Sequence, residues 1–170
     1  LTESERRTLL SLGVNEDRIH VTGIGPILAE DSDADRFRER YGLKGSVILF
    51  LGQHYPYKGY VQVLRSARQV WNRHPEAEFV FIGPPVGNSE KVFREFPDPR
   101  IHRIGSVDLQ EKTDALAACD LLCLPSTQES FGGVYTEAWN FRKPVIGCAI
   151  PAVKEVISSG VDGYLVPQES

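Results

Sequence analysis

The sequence predicts an α/β fold: a doubly wound, mainly parallel sheet with helices on both faces. Three observations lead there. Short β-branched or apolar runs alternate along the chain with segments of helical period, the pattern of βαβ units. The strand runs are nearly continuous in hydrophobicity, as in Val47-Ile48-Leu49-Phe50-Leu51 and Leu121-Leu122-Cys123-Leu124, which suits strands covered on both faces. Glycine or proline follows strand after strand, at Gly52, Gly83-Pro84-Pro85, Gly105, Pro125 and Gly147. Ligands of Rossmann-like sheets gather at that carboxyl edge.

The chain opens in a run of helical period, Thr2–Leu12, that reads as a helix already under way; with no Met in the sequence, an upstream portion is expected to be missing. Strands are expected at Ile19–Ile24, Ser46–Leu51, Glu78–Ile82, Ile101–Ile104, Leu121–Leu124, Pro144–Gly147 and Gly163–Val166. Between them, helices are expected at Ala34–Tyr41, Tyr60–Arg73, Ser89–Phe96, Leu109–Cys119, Gly133–Phe141 and Val153–Ser158. In the second of these, Val61, Leu64, Ala67, Val70 and Trp71 recur at three- and four-residue steps, so one stripe packs on the sheet. The acidic stretch Glu30–Asp35 reads as a solvated loop with a helix cap at Ser32 or Asp33, and His74, beside Pro75, as a helix end.

A length of 170 residues with 41% hydrophobic content suits a single compact domain, residues 1–170, with its own core. A net charge of −4 supplies no basic field for nucleic acid or anionic membrane, although a small anion can be held locally. Cys119, Cys123 and Cys148 are odd in number and lack a CxxC pair, so they read as small buried hydrophobes in a reducing compartment. No run approaches the ~20 apolar residues of a membrane helix and no signal peptide opens the chain; the expected location is cytoplasmic. Histidines 20, 54, 74 and 102 and the acidic pairs show no metal-ligand spacing, so no metal or other cofactor is expected.

The stretch that carries chemistry is Glu129-Ser130-Phe131-Gly132-Gly133-Val134-Tyr135-Thr136-Glu137, after the strand Leu121–Leu124. Two glycines opening a helix leave its first amides unobstructed, and the helix dipole adds partial positive charge, which makes a diphosphate site. Glu137 follows Gly133 by four residues, on the same helical face; at ~1.5 Å rise per residue its carboxylate lies about one turn from the amides, within reach of two vicinal ribose hydroxyls. Glu129 would approach from the other side of the phosphates, where a sugar would sit. The spacing alone also allows a plain glycine turn with a surface glutamate. The loop Gly52-Gln53-His54-Tyr55-Pro56-Tyr57-Lys58-Gly59 adds Lys58, a compact charge able to neutralise a departing diphosphate, or else a solvated lysine on a turn.

With seven residues between Glu129 and Glu137, this segment closely resembles the E-x7-E motif of the retaining GT-B glycosyltransferases of group 1, which include sucrose-phosphate synthases and many bacterial mannosyl- and glucosyltransferases. The resemblance covers nearly the whole chain. Ile19–Gly25 is similar to the strand and glycine turn entering that family's C-terminal domain, and Val47–Gly59 to its first strand with a basic phosphate loop. Phe79–Gly83, Ile101–Val107, Leu116–Pro125, Lys143–Gly147 and Lys154-Glu155-Val156 match its later elements.

The resemblance implies that Glu129 contacts the donor sugar and Glu137 the ribose. It also implies that amides around Phe131, Gly132 and Gly133 receive the diphosphate with Gly52, Gln53 and Lys58, and that the backbone near Gly105 and Val107 reads the base. It further implies a UDP- or GDP-hexose donor, retention at the anomeric carbon without a metal, and an acceptor held by an N-terminal domain that this chain lacks. Membrane association would come only through that half, and the isolated domain would bind donor weakly and turn over little. The chain departs from the family at Gln53, where an Arg is usual and for which His54 could partly substitute. It departs again at Ile150-Pro151-Ala152-Val153, where two glycines are often found.

Three other readings are open. A dinucleotide-binding oxidoreductase needs GxGxxG, of which Gly23-Ile24-Gly25-Pro26 offers only two glycines. A non-catalytic sugar-nucleotide sensor or subunit would suit Gln53. The sugar-nucleotide epimerases share the architecture but lack the E-x7-E spacing.

Overall fold

Six strands, β1 (Val47–Leu51), β2 (Glu78–Ile82), β3 (Ile101–Ile104), β4 (Leu121–Leu124), β5 (Val145–Cys148) and β6 (Gly163–Val166), form one sheet in the order β3-β2-β1-β4-β5-β6. Every pairing is parallel. The structure is a computed structural model and describes residues 2–168. Among the described residues seven α-helices accompany the strands: α1 (Glu3–Ser11), α2 (Ala34–Tyr41), α3 (Tyr60–Trp71), α4 (Ser89–Arg94), α5 (Leu109–Ala118), α6 (Gly133–Asn140) and α7 (Pro151–Lys154). The chain runs outward from β1 to β3 on one side and from β4 to β6 on the other. Right-handed crossovers therefore put α3 and α4 on one face and α5, α6 and α7 on the other. The predicted fold class is the one observed.

The order reverses between β1 and β4, the switch point at which such sheets hold ligands. β1 pairs with β2 along its whole length, but with β4 only through Ile48↔Leu121 and Leu49↔Leu122. The loops beyond Leu49↔Leu122 border the kind of crevice that such switch points form. The core beneath it is made of Val47, Leu49 and Phe50 on β1, Phe79 to Ile82 on β2, and Leu122 and Leu124 on β4, all buried. Two carboxylates fix the lower end. Asp120 accepts from the Val47 amide at 2.8 Å and from Arg38 at 3.0 Å; Glu78 accepts from the amides of Lys44 and Gly45 at 2.6 and 2.8 Å and lies 2.7 Å from His102.

Several expectations are corrected. No strand forms over Ile19–Ile24: the sheet edges are β3 and β6, the segment is irregular, and only further on does the chain meet α5, where the Ala29 amide donates to Thr113 Oγ1 at 2.9 Å. The first helix is not already under way, because Thr2 caps it in a reciprocal capping box with Glu5; Leu1 lies outside the described residues. The last helix starts at Pro151 and ends at Lys154, earlier than Val153–Ser158, since proline is pre-set for a first helical turn. The stripe of α3 is rotated from the predicted one: Tyr60, Val63, Leu64 and Ala67 are buried, while Val61, Val70 and Trp71 are only partly covered. α3 ends before His74. Asp33 is the cap of α2, its carboxylate accepting from the Arg36 amide. No helix among the described residues is long and apolar enough to cross a membrane, and all three cysteines are free thiols.

Gly83 sets the height of the crevice. It follows β2 with φ +144°, and a Cβ there would stand 2.1 Å from the carbonyl oxygen of Gly52. Gly83→Ala is expected to lower stability by about 3 kcal/mol, through backbone strain and the push on the loop after β1. Urea unfolding checks this: the midpoint should fall with the slope unchanged, and a shift below a quarter of that size would contradict the close approach.

Candidate functional site

Two loops rise from the switch point. After β1, the Gly52 amide still donates to Ile82 O at 2.9 Å, and the chain then turns through exposed Gln53 into a short 3-10 segment, Pro56–Lys58. Gly59 ends that segment with φ +84°, where a Cβ would lie 2.7 Å from Pro125. Only glycine lets α3 start this close to the opposite loop. Thr127, beyond Pro125, donates from its amide and its hydroxyl to Tyr57 O at 2.7 and 3.3 Å. The loop after β1 and the loop after β4 thus form one joined rim.

The second loop leads into α6 through Gly132, which adopts the left-handed conformation and has no side-chain cap on the helix it opens. A Cβ at Gly132 would lie 2.4 Å from the ring of Tyr135. That ring is fully buried and its hydroxyl donates to Leu124 O at 2.8 Å. Tyr135 therefore locks the glycine turn to the end of β4, and burial raises its hydroxyl pKa far above the ordinary value, so it stays a neutral donor. Four amides at a helix start have no partner inside the helix; here no side chain caps them. Ile24, from the irregular segment before α2, would stand 3.7 Å from a Cβ at Gly133.

The two predicted carboxylates flank this helix end, and each meets a lysine. Lys58 Nζ is 2.6 Å from Glu129 Oε1, with both side chains largely covered. The two residues singled out for chemistry are thus brought together from opposite rims. Glu137, 8% exposed, receives Lys112 Nζ at 2.8 Å and the Ile27 amide at 3.4 Å, all on Oε1. It points into the protein and not to bulk water. A carboxylate buried this far without a partner costs several kcal/mol, and Lys112 offsets that cost. Phe131 and Gly133 are half-buried, Gly132 is buried, and Gly52 is half-buried at the crevice floor. Gly105 and Val107 follow β3, beyond its last sheet residue, Ile104, with Gly105 exposed and Val107 half-buried. They sit just before α5, the helix that carries Lys112. Among the described residues, no group of three or more His, Cys, Asp or Glu side chains is arranged to hold a metal ion.

Sequence reasoning missed Lys112, Tyr135 and the Ile24–Ile27 strap. Lys112 and Ile27 lie 25 and 110 positions from Glu137, and no local pattern connects them.

Residues 45–170 match the family model described as Glycosyl transferases group 1. The chain is 29% identical, over 97% of its length, to a D-inositol 3-phosphate glycosyltransferase of Mycolicibacterium gilvum, spanning 39% of that protein. It is 31% identical, over 81% of its length, to a phosphatidyl-myo-inositol mannosyltransferase of Mycobacterium tuberculosis, spanning 37% of it. The fold is shared with Anabaena HepE, solved in complex with UDP-glucose, at a TM-score of 0.79 and 21% identity over 99% of this chain and 50% of that one. The chain therefore spans half or less of the length of these relatives.

His54 does not replace the charge that Gln53 lacks. It is 1% exposed, its ring lies among Phe93, Tyr60 and Phe50 at 5.1, 5.6 and 6.0 Å, and neither ring nitrogen has a partner. Burial, aided by the positive charge of Arg103, lowers its pKa from 6.5 to about 4. A histidine held neutral in this way contributes stability that is complete above the unfolded pKa and is lost as pH falls from 6.5 towards 4. Between pH 7 and pH 5 the protein is expected to lose about 2 kcal/mol more stability than a His54→Phe variant. Urea unfolding at both pH values measures this, and equal losses would contradict it.

Proposed function

Because the chain belongs to the group 1 glycosyl transferase family, we propose that it is the donor half of a retaining hexosyltransferase, binding a UDP- or GDP-hexose at the switch-point crevice. The observation that carries this reading is the uncapped amino end of α6, flanked by Lys58–Glu129 on one side and Lys112–Glu137 on the other. The diphosphate lies on the amides of Phe131 to Gly133, where fixed dipoles need no reorganisation as charge develops. Glu137 takes the ribose hydroxyls, the backbone of Gly105 to Val107 takes an edge of the base, and Gly52 and Gln53 border the phosphates.

In the chemical step the bond from the anomeric carbon to the diphosphate oxygen breaks and negative charge gathers on the diphosphate, while the acceptor hydroxyl oxygen bonds to the anomeric carbon on the face being vacated and its proton passes to the departing diphosphate. Lys58 then leaves Glu129 for that charge, and the freed Glu129 carboxylate accepts bonds from sugar hydroxyls and holds the ring in place. Glu129 orients the sugar and does not attack it. No metal enters this scheme, because Lys58 and the helix dipole supply the positive potential. The acceptor comes from an N-terminal domain across the cleft, as the length of the relatives suggests, and a solved neighbour holding UDP-glucose supports the donor class. Three free cysteines fit a reducing compartment, and the proposed location is the cytoplasm.

A second reading, a sugar-nucleotide-binding subunit without catalysis, is favoured by one observation: the exposed loop position is the neutral Gln53, and the adjacent His54 is buried and uncharged.

UDP or GDP at ~100 times its dissociation constant is expected to stabilise the chain by about 2.7 kcal/mol, equally with and without EDTA. Glu137→Gln should remove most of that gain; because it leaves Lys112 without its anionic partner it also costs the unliganded chain a few kcal/mol, so the gain is read against the variant's own unliganded stability. Thermal shift and calorimetry read both. Failure of both nucleotides at millimolar concentration overturns the donor reading, and an EDTA-sensitive gain overturns metal independence. Sugar transfer by the chain alone would remove the need for the second domain.

A further inference from the structure

We infer that Lys112 is a positioning residue that makes the site selective for a ribose carrying both vicinal hydroxyls; this rests on the donor reading above. Its ammonium joins two groups from distant parts of the chain. It donates to Glu137 Oε1 at 2.8 Å and to the Ile27 carbonyl at 2.6 Å, while the Ile27 amide also reaches Glu137 Oε1, at 3.4 Å. Every bond on Glu137 therefore falls on one carboxylate oxygen. Among the described residues the other oxygen, Oε2, accepts none.

A carboxylate fixed through one oxygen presents the second in a single orientation, the arrangement needed to take hydroxyl donors of fixed spacing. Lys112 has a second effect. Through Ile27 it holds the Ile24–Ile27 strap near the start of α6, where Ile24 would meet a Cβ at Gly133 at 3.7 Å. The strap is anchored further on by the Ala29 amide on Thr113 Oγ1 at 2.9 Å and by the Asp33 amide on Asp114 Oδ1 at 2.8 Å. It is nonetheless irregular and carries exposed Ile24 and Ile27. Without Lys112, its bond to the Glu137 carboxylate is a single long one. The ribose end of the crevice is thus built from α5, α6 and the strap, and the lysine is where they meet.

The test compares UDP and GDP with their 2′,3′-dideoxy counterparts by calorimetry, on the parent chain and on Lys112→Met, Lys112→Arg and Glu137→Gln. The parent is expected to prefer the hydroxylated nucleotide. Lys112→Met should weaken that nucleotide roughly tenfold, the scale of one charge-assisted bond, and leave the dideoxy form unchanged. Lys112→Arg should restore most of the preference, and Lys112→Met should add no further loss in the Glu137→Gln background. Equal weakening of both forms would mean that Lys112 binds phosphate or only supports the fold, and an unchanged preference would mean that it positions nothing; either overturns the inference alone. If the parent binds neither nucleotide, the donor reading falls and this inference falls with it.

Discussion

The site depends on one constraint, the open amino end of α6. Gly132 is left-handed with the Tyr135 ring where a Cβ would be, and the Tyr135 hydroxyl is bound to the last carbonyl of β4. A serine or aspartate, the common way to cap a helix start, would place its own oxygen on the amides, but a Cβ at Gly132 has no room beside the Tyr135 ring. By using glycine, and a buried tyrosine to hold it, the chain keeps those amides for something else. The strand order supplies the location, because it reverses between β1 and β4.

Around that opening, positive and negative groups are matched one to one. Lys58 and Glu129 come from opposite rims, Lys112 and Glu137 from adjacent helices. Both pairs are mostly covered, so neither partner could be removed without leaving a poorly solvated charge. The pairing also orders the loops: Lys58 is drawn across the crevice where Thr127 already binds Tyr57, and Lys112 gathers the strap. A bound phosphate would exchange with the first of these pairs, drawing Lys58 from Glu129, while the second stays in place.

Much of this was legible from the sequence, for physical reasons. Strands buried on both faces must be apolar throughout, so β1, β2 and β4 announced themselves, and with them the carboxyl edge. Glu129, Glu137, the glycine pair and Lys58 lie in short contiguous segments whose spacing carries the information. What stayed hidden depends on the tertiary fold. A lysine in the middle of α5 looks like any solvated helix residue until the strap and Glu137 close on it. Ile19–Ile24 has the composition of a strand, yet both ends of the sheet are occupied by other strands and the segment stays irregular. His54 reads as a polar loop residue, but its backbone is held to Pro84 O at 3.1 Å and its ring has nowhere to go except among the aromatic rings of Phe50, Tyr60 and Phe93.

The matched charges bear on how an anion arrives. A cleft lined with unpaired lysines projects a field that draws phosphates from a distance and loses that pull in salt. Here each lysine is already answered by a glutamate, and the chain as a whole carries −4, so long-range steering is weak. Encounter with a nucleotide then proceeds at an ordinary diffusive rate that ionic strength barely alters. Differences in affinity reside in how slowly the ligand leaves once Lys58 has changed partners.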